Sequence, residues 1–129
     1  SLKLAVDAVN MGGVVMAAID GPGGASSASV PCLGRRVVVR RGPIALARLT
    51  GARLVPVVAQ WTEQGSIRIV VGAPFDLPAP NHPTFELAAA VAATEWLEQH
   101  LTSHPGDLWP YMLRNFLASP RLSHDERLP

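Results

Sequence analysis

The apolar positions of this chain recur in two rhythms, that of a helix and that of a strand. Leu2, Ala5, Val6 and Val9 fall on one helical face, and Gly12 and Gly13 close that helix. Val14 to Ile19 is an unbroken apolar run ending in Asp20 and Gly21-Pro22-Gly23-Gly24, which predicts a buried strand running into a glycine turn. Ala25 to Ser29 predicts a small polar loop, and Val37, Val38 and Val39, flanked by paired arginines, a short strand. A helix over Pro43–Thr50 would bury Ile44, Leu46, Ala47 and Leu49, with Gly51 as its cap. Arg53 to Gln60 predicts a strand interrupted by Pro56, which implies an edge, a bulge or a strand start.

Ser66 to Val71 alternates, with Ile67, Ile69 and Val71 facing one way, and predicts a half-exposed antiparallel strand after a turn at 61–65. Gly72 to Pro83 carries four prolines and predicts a loop. Phe85 to Leu101 predicts a long helix whose stripe is Phe85, Ala89, Ala92 and Trp96, with Leu97 and Leu101 beside it. Pro105-Gly106-Asp107 breaks it and starts a last helix with Leu108, Trp109, Met112, Leu113, Phe116 and Leu117 on its apolar face. Residues 119–129 predict a polar, frayed tail.

These elements predict an α/β fold over residues 1–118, a mixed β-sheet flanked by helices. In it the Val14–Ile19 strand, the Pro43–Thr50 helix and the Leu54–Gln60 strand form a crossover, and Ser66–Val71 is a hairpin partner. With 129 residues, 48% hydrophobic and 16% charged, the chain suits one domain and not a disordered one. No apolar run approaches a membrane span, and the opening residues lack the apolar core of a secretion signal. The chain begins at Ser1, in keeping with a fragment of a longer polypeptide or a processed product.

Charge changes the picture. Net charge is +1, yet residues 35–53 hold six arginines and no acid. Alternation sends Arg36, Val38 and Arg40 to one face and Arg35, Val37, Val39 and Arg41 to the other. One face therefore aims two guanidinium groups at a phosphate, or the arginines are ordinary solvated strand ends. Without interleaved aromatics or a strongly basic balance, nucleic acid is not an expected partner. The lone Cys32 excludes an intrachain disulfide and a cysteine-rich zinc site, and its apolar neighbours mark a core residue. His100 and His104 lie four apart where their helix ends, and spacing positions no third ligand, so no metal site is expected. The turn at 21–24 lacks the lysine and following helix of a phosphate loop, which leaves a nucleotide-binding domain the weakest reading. Asp20 is either a solvated turn residue or a strand-end carboxylate facing a ligand.

The order of these motifs resembles a known family. Gly42-Pro43-Ile44-Ala45-Leu46-Ala47-Arg48-Leu49-Thr50-Gly51-Ala52, followed by Leu54-Val55-Pro56-Val57, is similar to a signature of the bacterial lipid A biosynthesis acyltransferases, in the glycerophospholipid-acyltransferase superfamily. His104-Pro105 and Trp109 to Phe116 look like the family's closing helix, so the likeness runs from about Leu2 to Phe116. The resemblance implies an acyltransferase-like mixed sheet, here the C-terminal portion of the domain. It implies transfer of a fatty acyl chain from acyl carrier protein or coenzyme A thioester to a hydroxyl of a membrane glycolipid, on the cytoplasmic face of the bacterial inner membrane. The thioester is a co-substrate, and no metal or bound cofactor is implied. Asp20 matches a supporting acidic residue. Gly21, Gly23, Arg36, Arg40, Arg41 and Arg114 are the candidate substrate-binding positions.

Two departures qualify the likeness. The family's dyad is a histidine followed, after four residues, by an acid. Here the residues at that interval after His82, His100, His104 and His124 are Leu87, Pro105, Trp109 and Pro129. The dyad is expected in an N-terminal portion of the same protein, preceding Asp20, and the 129 residues alone are expected to be inert. Arg114 is followed by Asn115 where the family has a second arginine. The alternative reading is a non-catalytic α/β module that binds an anionic lipid or phosphate through Arg35–Arg41.

Overall fold

The structure is a computed structural model that describes residues 2–19, 27–107, 117–118 and 120–123. Its element order is α1 (Leu2–Asn10), β1 (Ser27–Cys32), β2 (Arg35–Arg40), α2 (Gly42–Thr50), β3 (Val57–Trp61), β4 (Ile67–Val71) and α3 (Phe85–Ser103), with a 3-10 turn at Pro105–Asp107.

The strands form two separate antiparallel hairpins, β1 with β2 and β3 with β4. The architecture is α/β only in the loose sense of helices beside two small sheets. The expected mixed sheet and crossover are not among the described residues, because β2, α2 and β3 join two different sheets. Val14–Ile19 is also not a strand. Val14 is 89% exposed and Met16 81%, and only Ile19 reaches a sheet, its carbonyl accepting the Arg40 N–H at 3.0 Å. A continuous apolar run specifies burial only where a neighbouring backbone offers it a ladder.

The residues expected to loop, Ser27 to Ser29, instead open β1. Register explains why small polar residues suffice there. Ser27, Ser29 and Pro31 face outward while Ala28, Val30 and Cys32 face inward, opposite Val39, Val37 and Arg35. The N–H groups of Arg36 and Arg40 leave the hairpin for the carbonyls of Pro120 and Ile19. Arg36 and its partner Pro31 therefore occupy a position that exchanges no ladder hydrogen bonds, where a proline fits. The tail is not frayed throughout: Leu122 is buried, its N–H donates to the Gly34 carbonyl at 3.1 Å, and Arg121 bridges Arg35.

The inner face of β1–β2 packs on α3, and α2 packs on α3 beside it. Val30, Val39, Ile44, Ala47, Phe85, Ala89 and Ala90 make the core. Helix α2 buries Ile44, Leu46 and Ala47 as expected, but Leu49 is exposed. Gly51 ends it with φ 70°, a left-handed conformation that favours glycine, and its N–H returns to the Ala47 carbonyl. The buried face of α3 is Phe85, Ala89, Ala90, Ala93, Thr94 and Leu101, while Ala92 and Trp96 are half-buried. An alanine-rich helix presents small residues on several faces, so periodicity selects the packed stripe poorly; α3 rests on the alanines nearest β1.

Strand β3 starts just past Pro56, and the β3–β4 register places Val57 opposite Val71, Ala59 opposite Ile69 and Trp61 opposite Ile67. These six side chains share one face of the hairpin. Val57, Trp61, Ile67, Ile69 and Val71 on it are all exposed.

Candidate functional site

The β2–α2 junction gathers the arginines. Along β2 the alternation holds, with Val39 3% exposed toward the core and Val38 47% exposed on the outer face with Arg36 and Arg40. Arg36 and Arg40 are half-buried there. Arg41 lies past the strand, as the residue preceding the first turn of α2.

Arg41 is engaged from within the fold. Its Nε donates to Glu86 Oε2 at 2.8 Å, and its Nη2 contacts the same oxygen. Arg48 reaches the other oxygen, Oε1, at 3.0 Å. Glu86, 17% exposed at its side chain, thus sits between two guanidinium groups and ties α2 to the first turn of α3. An acid at that first turn also suits the helix dipole. Any external anion at Arg41 competes with this carboxylate. Asp20, Gly21, Gly23 and Arg114 lie outside the described residues.

A second constellation, which spacing did not reveal, closes the far end of α3. His100 Nε2 and Asp107 Oδ2 are 2.8 Å apart, with side chains only 8% and 6% exposed. Asp107 Oδ1 accepts the Trp61 backbone N–H at 3.3 Å, so one carboxylate joins α3, the 3-10 turn and β3. Trp96 stacks on one side of His100 at 5.9 Å between ring centroids, and His104 on another at 4.9 Å. Asp107 is the third metal-capable group that the sequence left unplaced: ligand atoms of His100, His104 and Asp107 all lie within 4.8 Å of one another. The available signal was Pro105-Gly106, a turn that folds the chain back toward the helix end.

Buried Cys32 points its Sγ toward the Thr94 carbonyl at 4.0 Å. Burial, aided by the negative charge of Glu98, pushes its thiol up to about 11. At neutral pH that keeps it as the thiol, the weakly nucleophilic form. No protein-family model, curated protein or solved structure matches the chain.

Proposed function

We propose that this chain is part of a membrane-peripheral O-acyltransferase that moves a fatty acyl group from an acyl carrier protein or coenzyme A thioester to a glycolipid hydroxyl. The observation that carries the reading is how the Gly42–Pro56 signature folds. It forms α2, turns at the left-handed Gly51 and enters β3, with Arg36, Arg40 and Arg41 at its leading edge. A turn-and-helix beside a basic edge makes chemical sense where a phosphorylated headgroup must be held. No helix among the described residues is long and apolar enough to cross a membrane, and a peripheral location fits that together with the exposed apolar face of β3–β4.

In such a transfer a histidine takes the proton of the acceptor hydroxyl, the oxygen attacks the thioester carbonyl and the thiol leaves. The closed His100–Asp107 pair cannot reach an acceptor, being almost wholly buried. On this reading the base comes from residues outside these 129, Asp20 supports it, and Arg36, Arg40 and Arg114 face the acidic headgroup. Gly21 and Gly23 let backbone N–H groups approach the substrate. The burial of the described His–carboxylate pair is also what favours the second reading, a non-catalytic module that binds anionic lipid through the same arginines.

Vesicle flotation tests the headgroup assignment. The chain should partition onto phosphatidylcholine vesicles doped with a phosphorylated glycolipid, and Arg36→Gln with Arg40→Gln should lower that partition roughly tenfold, at up to about 1 kcal/mol for each cation near the surface. Equal partition onto undoped vesicles, or no change in the double variant, contradicts the assignment.

A further inference from the structure

We propose that His100, His104 and Asp107 form a binding site for a divalent zinc-type cation at the C-terminal end of α3. The three residues supply two imidazoles and one carboxylate, a set that suits zinc and its neighbours better than the all-oxygen cations. His100 and His104 stand one helical turn apart and their rings already stack, with planes 18° from parallel.

The distances allow it. Zinc bonds to nitrogen and oxygen are about 2.0–2.2 Å, so tetrahedral ligand atoms sit about 3.3 Å apart. The His100 Nε2 to Asp107 Oδ2 separation is 2.8 Å, which needs to open by only about half an ångström on that geometry. In binding, the cation takes the place of the hydrogen bond between that pair. It bonds to the Nε2 lone pair of the Nδ1–H tautomer of the imidazole and to Oδ2, and a proton displaced from Nε2 moves to Nδ1 or, where Nδ1 already carries one, to solvent. The 4.8 Å limit on the ligand atoms is the larger gap to close. His104 closes it, because it is exposed and its ring can turn without disturbing the core.

Two further features prepare the site. The Trp61 N–H holds the other carboxylate oxygen of Asp107 at 3.3 Å, as outer hydrogen bonds hold metal-binding carboxylates. The site also lies at the C-terminal end of the 19-residue helix α3, where the helix dipole favours a cation. The exposed side of His104 leaves a fourth position for water or a ligand. The inference is independent of the acyl-transfer reading, which needs no metal.

Isothermal titration of the untagged 129-residue chain tests it, with Zn²⁺ as the probe, Co²⁺ as a spectroscopic substitute and Mg²⁺ as the contrast. One equivalent of Zn²⁺ should bind, Co²⁺ should give the visible absorption of a low-coordinate site, and Mg²⁺ should be silent. His104→Ala, an exposed position, should retain the fold and weaken Zn²⁺ binding by at least about tenfold. His82→Ala, whose ring bonds to Thr84, should leave the affinity unchanged. Absence of saturable Zn²⁺ uptake overturns the proposal. So does uptake that survives His104→Ala or is lost with His82→Ala or His124→Ala.

Discussion

Asp107→Ala should lower the stability of the chain by about 2–4 kcal/mol, read as a fall in the urea midpoint at unchanged slope. The carboxylate is 6% exposed and serves two partners at once. Removing it takes away the partner of His100 Nε2, in a side chain only 8% exposed, at a cost of about 1–3 kcal/mol, and one acceptor of the Trp61 N–H at the exposed edge of β3, which adds less. The effect is larger than that of a surface ion pair because the His100 and Asp107 side chains are almost wholly buried, where water replaces a lost oxygen poorly. Lys3 and Asp7 illustrate the other limit: their pair in α1 spans 2.7 Å but is exposed, and contributes a few tenths of a kcal/mol on the scale of such pairs, about 0.2–0.5 kcal/mol. Asp107→Asn keeps an acceptor for Trp61 and offers an amide group to His100 Nε2, so it should lose about half as much as alanine on the same bookkeeping. Equal stability of the alanine variant and the parent would mean that the corner formed by α3, the turn and β3 contributes nothing to folding.

Gly72→Ala should cost about 1–3 kcal/mol through overpacking. The position is an ordinary one by backbone angle; what glycine supplies is space. An added Cβ would stand 2.7 Å from Pro56 Cγ and 2.8 Å from Trp96 Nε1. Backbone retreat is resisted because the Gly72 N–H donates to the Pro56 carbonyl at 2.9 Å, one step beyond the Val57–Val71 pair. The softer response is to displace the indole, and that indole stacks on His100. The variant should therefore change tryptophan fluorescence as well as stability, and Trp96→Phe in the same chain should recover part of the loss. A loss that the smaller ring does not relieve would place the strain elsewhere.

The local elements read well from sequence where one residue type carries an unambiguous geometric demand. Gly51 and Pro43 bracket α2, Pro56 marks where β3 begins, and the four prolines of 72–83 exclude regular structure. The β4 alternation correctly placed Ile67, Ile69 and Val71 on one face, yet that face is exposed, because periodicity says which residues share a side and not what covers it. Val14–Ile19 failed for the same reason: its apolar run needed a ladder that no described strand gives it. The β1 strand was missed because Ser27, Ala28 and Ser29 have weak strand preference, and the pairing with the valines of β2 overrides it. Of the sites, the arginine alternation was legible, but the Glu86 carboxylate that engages Arg41 comes from 45 positions away. The His100–Asp107 pair spans a helix end and a 3-10 turn, a separation of seven that matches no standard motif.

In the proposed function, the arginine-edged Gly42–Pro56 unit belongs to an acyltransferase whose base lies outside these residues. The most direct measurement is transfer of a radiolabelled acyl group from acyl carrier protein to a glycolipid acceptor. The full encoded polypeptide that carries these residues should be compared with residues 1–129 alone. The account predicts labelled glycolipid from the full polypeptide and an intact thioester with the 129 residues. Transfer by the 129 residues alone, or an intact thioester with the full polypeptide across phosphorylated glycolipid acceptors, would contradict it.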